Sequence, residues 1–176
     1  LVDYARTVKL GDGSQQGTDL GPIQNKMQFE KLKDLLADAK ASGCRFLLGG
    51  EVEDKPGYFV PVTIIDNPPE DSRVVAEEAF GPVLPLLKFN DIEDVIARAN
   101  NTEYGLAASV WGKDIGTARS VAERIEAGTV WINEIHSFSP HVAFGGHKQS
   151  GIGIENALEG LSEYTNSQTI VTNKAA

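Results

Sequence analysis

Apolar residues recur at three- and four-residue spacing between positions 22 and 43, where Phe29, Leu32, Leu36 and Ala39 fall on one stripe. That period predicts an amphipathic helix, with Gly43 as its C-terminal stop. Residues 45–48 then read as a short buried strand running into Gly49-Gly50. Residues 58–65 are rich in aromatic and β-branched side chains and predict a second strand, with Pro61 marking an edge or a bulge. A mixed stretch from 68 to 82 leads into a strand over 83–89. Asn90 and Glu93 have capping-box spacing, and Ile92, Val95, Ile96 and Ala99 share a face behind them. A strand over 105–111 precedes a helix over 114–127 with Ile115, Ala118, Ala122 and Ile125 facing inward. Residues 129–132 form a further strand, and an irregular stretch runs to about Gly153. A short helix over 155–161 and a strand near 168–172 follow. Strands alternating with helices of about ten or more residues predict an α/β fold with a largely parallel sheet flanked by helices.

Composition narrows the functional classes. With 41% apolar residues and 23% charged ones among its 176, the chain can build a core and is not a disordered segment. No window approaches the ~18 uninterrupted apolar residues of a membrane span. The net charge of −9 repels phosphate backbones and anionic lipid, so neither nucleic acid nor a membrane is an expected partner. A single cysteine, Cys44, forms no internal disulfide and suits a reducing cytoplasm. The chain opens on Leu1 inside what reads as a helix end, so it is expected to be a piece of a longer protein.

The usual motifs fail on spacing or context. Gly11-Asp12-Gly13-Ser14-Gln15-Gln16-Gly17 misses the dinucleotide fingerprint by one residue and lacks a strand before it and a helix after it, so a flexible loop is expected. His136, His141 and His147 with Glu134 match no zinc spacing, and no metal is expected. Cys44 sits between a helix stop and an apolar strand, with only Arg45 nearby to favour a thiolate, so it is expected to be an inert packing residue. The run from Phe144 to Gly153 holds Gly145, Gly146, Ser150, Gly151 and Gly153, a density that implies close backbone approach to another segment or a ligand. Phe138 and Phe144 either seal this loop onto the core or wall a pocket.

Six blocks carry a resemblance to the aldehyde dehydrogenase superfamily. They are Gly11-Asp12-Gly13 through Gly21-Pro22, Glu77-Glu78-Ala79-Phe80-Gly81-Pro82-Val83, Ala99-Asn100-Asn101-Thr102-Glu103-Tyr104-Gly105-Leu106-Ala107-Ala108, Ala127-Gly128-Thr129-Val130-Trp131-Ile132-Asn133, the loop from Phe144 to Glu155, and Gly160-Leu161-Ser162-Glu163-Tyr164-Thr165. Their order and near-complete coverage make the set specific. The chain resembles the C-terminal part of such an enzyme, with residues 1–163 belonging to the catalytic domain and 164–176 to a C-terminal β arm.

The resemblance implies NAD or NADP as cofactor, an aldehyde as substrate, and a catalytic cysteine and general-base glutamate outside this chain. Glu78 corresponds to the glutamate that accepts hydrogen bonds from the nicotinamide-ribose hydroxyls, while Glu77 is read as a solvated neighbour. Phe80 and Leu106 correspond to apolar residues near the nicotinamide. Phe138 and Phe144 correspond to walls of the aldehyde tunnel, with His136 near its mouth, and Glu155 corresponds to a proton relay. Many relatives have Pro, Arg and Glu where this chain has Ala143, Ile154 and Asn166, so the charged pair at the last two positions is absent here. A terminal strand without a hairpin partner needs another sheet. The resemblance implies that the arm pairs with a neighbouring subunit in a homodimer or tetramer; the other reading is a strand folded back onto its own sheet. Two other readings stay open: a non-catalytic oligomerisation module of the same fold, and an enzyme that passes the acyl group to coenzyme A.

Overall fold

The expected long helix forms between a side-chain cap and a left-handed glycine, four residues shorter at its start than the apolar pattern implies. A computed structural model describes residues 1–174. They fall into two compact units, divided between Lys88 and Phe89.

In the first unit, helix α1 covers Val2–Ala5 and α2 covers Lys26–Ala41. The Asn25 side chain accepts the amide of Gln28 and starts α2. Gly43, at φ +72°, ends it. Strand β1 (Arg45–Leu48) pairs antiparallel with β2 (Thr63–Asp66), which pairs parallel with β3 (Val83–Leu86), and α3 (Arg73–Ala76) lies between β2 and β3. The apolar face of α2 covers this sheet, burying Leu32, Leu36 and Ala39 against Val60, Ile65, Val74 and Val83. Cys44 packs, half-buried, against the same cluster.

The expected strand over 58–65 ladders only from Thr63. Pro61 has no N–H to give, and the Tyr58 carbonyl instead accepts the amide of Ile23 at 2.8 Å. Thr63 is wholly buried, with its hydroxyl donating to the Pro61 carbonyl and accepting the Gly50 amide.

In the second unit, α4 (Ile92–Asn100) is capped by Asp91, one residue beyond the expected Asn90. Strand β4 (Tyr104–Gly105) is followed by β5 (Ala107–Val110), α5 (Ile115–Ala122) and β6 (Thr129–Ile132). Strands β5 and β6 are parallel, and α5 crosses between them, capped by Asp114. The stretch expected to be irregular contains β7 (Phe144–Gly145), β8 (His147–Lys148) and β9 (Ile154–Glu155), with α6 (Ala157–Ser162) after it. Strand β8 pairs antiparallel with β4, and β9 antiparallel with β7.

The α/β class holds, with one correction: the pairing is mixed and not largely parallel. Three of the five strand pairs among the described residues are antiparallel: β1 with β2, and two more where the glycine-rich loop folds back on itself and on β4. Residues 166–173, where a terminal strand was expected, form no strand and are exposed. No helix among the described residues is long and apolar enough to cross a membrane.

Candidate functional site

In the first unit, the segment from Glu77 to Pro82 joins α3 to β3 and is held against α2 from beneath. Gln28 Nε2 donates to the Ala79 carbonyl at 2.6 Å and the Phe80 carbonyl at 3.5 Å, and Lys31 Nζ donates to the Glu78 carbonyl at 2.8 Å. At Gly81 an added Cβ would stand 2.5 Å from Leu32 Cδ1, so the backbone here approaches α2 more closely than any side chain permits. Phe80 takes a left-handed conformation at φ +50° and leaves its ring 71% exposed. A non-glycine residue in that region costs on the order of 1 kcal/mol or more and persists only where its surroundings hold it.

The two adjacent glutamates have different partners. Arg73 Nε donates to Glu77 at 2.6 Å, and its other arm reaches Asp34 on α2 at 2.9 Å. The Arg73 hydrogen bond holds the Glu77 carboxyl below the usual carboxylate range. Glu77 is thus a structural tie and not the solvated neighbour expected from sequence. Glu78 is exposed, and its carboxylate forms no hydrogen bond or ion pair with the described residues. A carboxylate left free on a fixed backbone can accept two hydroxyl groups at once.

In the second unit, four rings gather where β6 leads into the following loop. Trp131 meets Phe138 edge-to-face at 5.6 Å and His136 at 6.0 Å between centroids. Phe138 meets Phe144 edge-to-face at 5.0 Å and lies nearly parallel to His136 at 6.2 Å. Phe138 and His136 are exposed and Phe144 is half-buried, so this wall has an open apolar side. Glu155 stands directly opposite Phe144 in the β7–β9 pairing, exposed. Leu106, between β4 and β5, is also exposed.

The expected site residues of the second unit divide accordingly. His136, Phe138 and Phe144 form one aromatic cluster, Glu155 borders it through β7, and Leu106 makes none of these ring contacts. An open depression of about 510 Å³ in this unit is lined by Pro140, His141, Ala157, Leu158, Glu159 and Leu161, none of them an expected site residue. No three His, Cys, Asp or Glu side chains among the described residues converge as metal ligands would.

Several residues that shape these features carried no role in the sequence reading. Gln28 and Lys31 act on carbonyls 51 and 47 residues away, and no local pattern signals such contacts. Arg73 and Glu77, four apart, show helical ion-pair spacing in the sequence. Trp131 appears there only as part of a block, and Glu163, which accepts the Ile154 amide at 3.1 Å and closes the glycine-rich loop, likewise.

Comparison with known proteins places these features among relatives. The family model described as "Aldehyde dehydrogenase family" matches residues 1–170. Aldehyde dehydrogenase 1A1 of Gallus gallus is 43% identical over 169 residues, covering 96% of this chain and 33% of its own length. A crystal structure of a betaine aldehyde dehydrogenase point mutant from Staphylococcus aureus, in complex with NAD+, superposes with a TM-score of 0.93 at 39% identity, covering 100% of this chain and 37% of that one. A mutant of aldehyde dehydrogenase C from Pseudomonas syringae, in complex with NAD+ and octanal, gives a TM-score of 0.87 at 37% identity over 93% of this chain and 34% of that one. The chain therefore spans about a third of the length of the relatives it matches.

Proposed function

Since this chain belongs to the aldehyde dehydrogenase family, we propose that it serves an NAD- or NADP-dependent enzyme oxidising an aldehyde to a carboxylic acid. Its part is to orient the nicotinamide ribose and to wall the aldehyde's path. The observation that carries this reading is Glu78: an exposed carboxylate without a partner among the described residues, on a backbone that Lys31 and Gln28 hold at consecutive carbonyls. That arrangement fits a vicinal diol, which needs two acceptors at a fixed place. The bound dinucleotide supplies the hydride acceptor.

Phe80 offers an exposed ring beside this carboxylate for the nicotinamide, and Leu106 keeps its expected apolar role in the second unit. Phe138 and Phe144 present an apolar wall with His136 at its rim, which favours an apolar or aromatic aldehyde over a small charged one. Glu155, exposed and paired across from Phe144, suits a proton relay. Cys44 packs on the first unit's core, so nucleophile and general base come from outside residues 1–176. Residues 164–176 act as an arm pairing with another subunit in a dimer or tetramer, and the enzyme works in the cytoplasm.

Glu78→Gln in the full-length enzyme keeps the shape and removes the charge. Single-turnover hydride transfer is expected to slow by ~10- to 100-fold, because the step depends on sub-ångström placement. An unchanged rate would leave Glu78 a structural carboxylate.

A further inference from the structure

The loop after β6 is tied down at its base by a dense set of bonds. Asn133 exchanges two hydrogen bonds with the Gly112 backbone, both 2.8 Å, and its amide donates to the Val110 carbonyl. Ser109 Oγ donates to the Glu134 carbonyl at 2.7 Å. Beyond Ile135 the chain turns through His136, which sits at φ +56°, a conformation that a non-glycine residue holds only under constraint. The constraint is at the next residue: Trp131 Nε1 donates to the Ser137 carbonyl at 3.0 Å. The same indole packs edge-to-face on the rings to either side of Ser137, His136 and Phe138.

We infer that Trp131 is a positioning residue for substrate selection: its indole N–H, by holding the Ser137 carbonyl, sets where the Phe138 ring stands beside Phe144. Trp131 is half-buried and needs no contact with substrate to do this. Without the bond, the His136–Phe138 corner keeps its base tethers but loses the constraint on its left-handed turn. The Phe138 ring then samples positions nearer to and farther from Phe144, and the gap between the rings loses its definite width. The effect falls on long aldehydes, which must pass both rings, more than on a two-carbon one. The inference rests on the reading of Phe138 as an aldehyde-path residue.

The test uses the full-length enzyme with octanal and acetaldehyde as probes. Trp131→Phe keeps an aromatic edge and removes only the donor. The ratio of kcat/KM for the two aldehydes is expected to shift on the order of three- to tenfold, with KM for the dinucleotide unchanged. In a Phe138→Ala background the same substitution should add no further shift, since the ring it positions is gone. If Phe138→Ala moves the ratio and Trp131→Phe does not, the inference fails and the reading of Phe138 stands. If neither moves it, both fail. An equal loss for both aldehydes assigns Trp131 to packing alone and overturns the inference. Should Trp131→Phe not accumulate as folded protein, Trp131→Leu, which likewise carries no side-chain donor, is read by the same outcomes.

Discussion

Glu77 and Glu78 are identical in type and adjacent, yet their surroundings give them opposite tasks. Glu77 is engaged by Arg73 within the chain, and Glu78 is left free. The Arg73 contact lowers the folded-state pKa of Glu77 relative to the unfolded chain. Its contribution to stability is therefore present above the unfolded carboxylate value near ~4.3 and lost as pH falls through the lower folded value. Exposed pairs contribute little singly, but Arg73 bridges two carboxylates on different helical segments, which favours a measurable effect. Thermal midpoints of wild type and Glu77→Gln should differ at neutral pH and draw together as the pH falls through the acid range. A gap that persists unchanged across that range would mean Glu77 does not draw its stabilising role from its charge.

Among helices and strands, the decisive contact is α2 with the segment leading into β3. Leu32 is fully buried beneath Gly81, and the missing Cβ at Gly81 is what lets the segment lie so close. Gly81→Ala should cost about 1–3 kcal/mol by overpacking, seen as a lower denaturant midpoint with unchanged slope. Leu32→Val opens room at the same place, so the double variant should lose less than the sum of the two. Strict additivity would show that the two positions do not press on one another. The same contact carries the Glu78 backbone, so hydride transfer should slow in Gly81→Ala alongside the stability loss.

For the chain as a whole, the two units differ in how much they enclose. The first has a continuous apolar cluster under α2, while the second, among the described residues, buries only Ile96 and Ala118 of its apolar side chains. Toward the C-terminus Ile152, Leu158, Tyr164, Ile170 and Val171 are all strongly exposed, Ile152 at 98%. So many apolar side chains in one part of a chain call for cover from another surface. Residues 166–173 have no ladder partner among the described residues, and the proposed arm would take its partner from another subunit. Deleting the full-length enzyme from Asn166 onward should lower its mass by light scattering to that of a smaller assembly. An unchanged mass would remove the arm from the interface.

Helix α2, its glycine stop, strands β1 and β6 and the α/β alternation were all legible in the chain, because periodicity, caps and glycine punctuation act over a few neighbouring residues. The six blocks also identified the family. Three things were not legible: where the ladders would stop, that three strand pairs run antiparallel, and which of two neighbouring glutamates stays free. The strand over 58–65 shortened because the Tyr58 carbonyl turned to Ile23, 35 positions away. Glu77 is tied by Arg73, whose spacing was visible, but the second grip of that arginine on Asp34 of α2, 39 positions away, was not. Each of these outcomes depends on a partner brought close only by folding, and spacing along a chain does not record which distant donor reaches which acceptor.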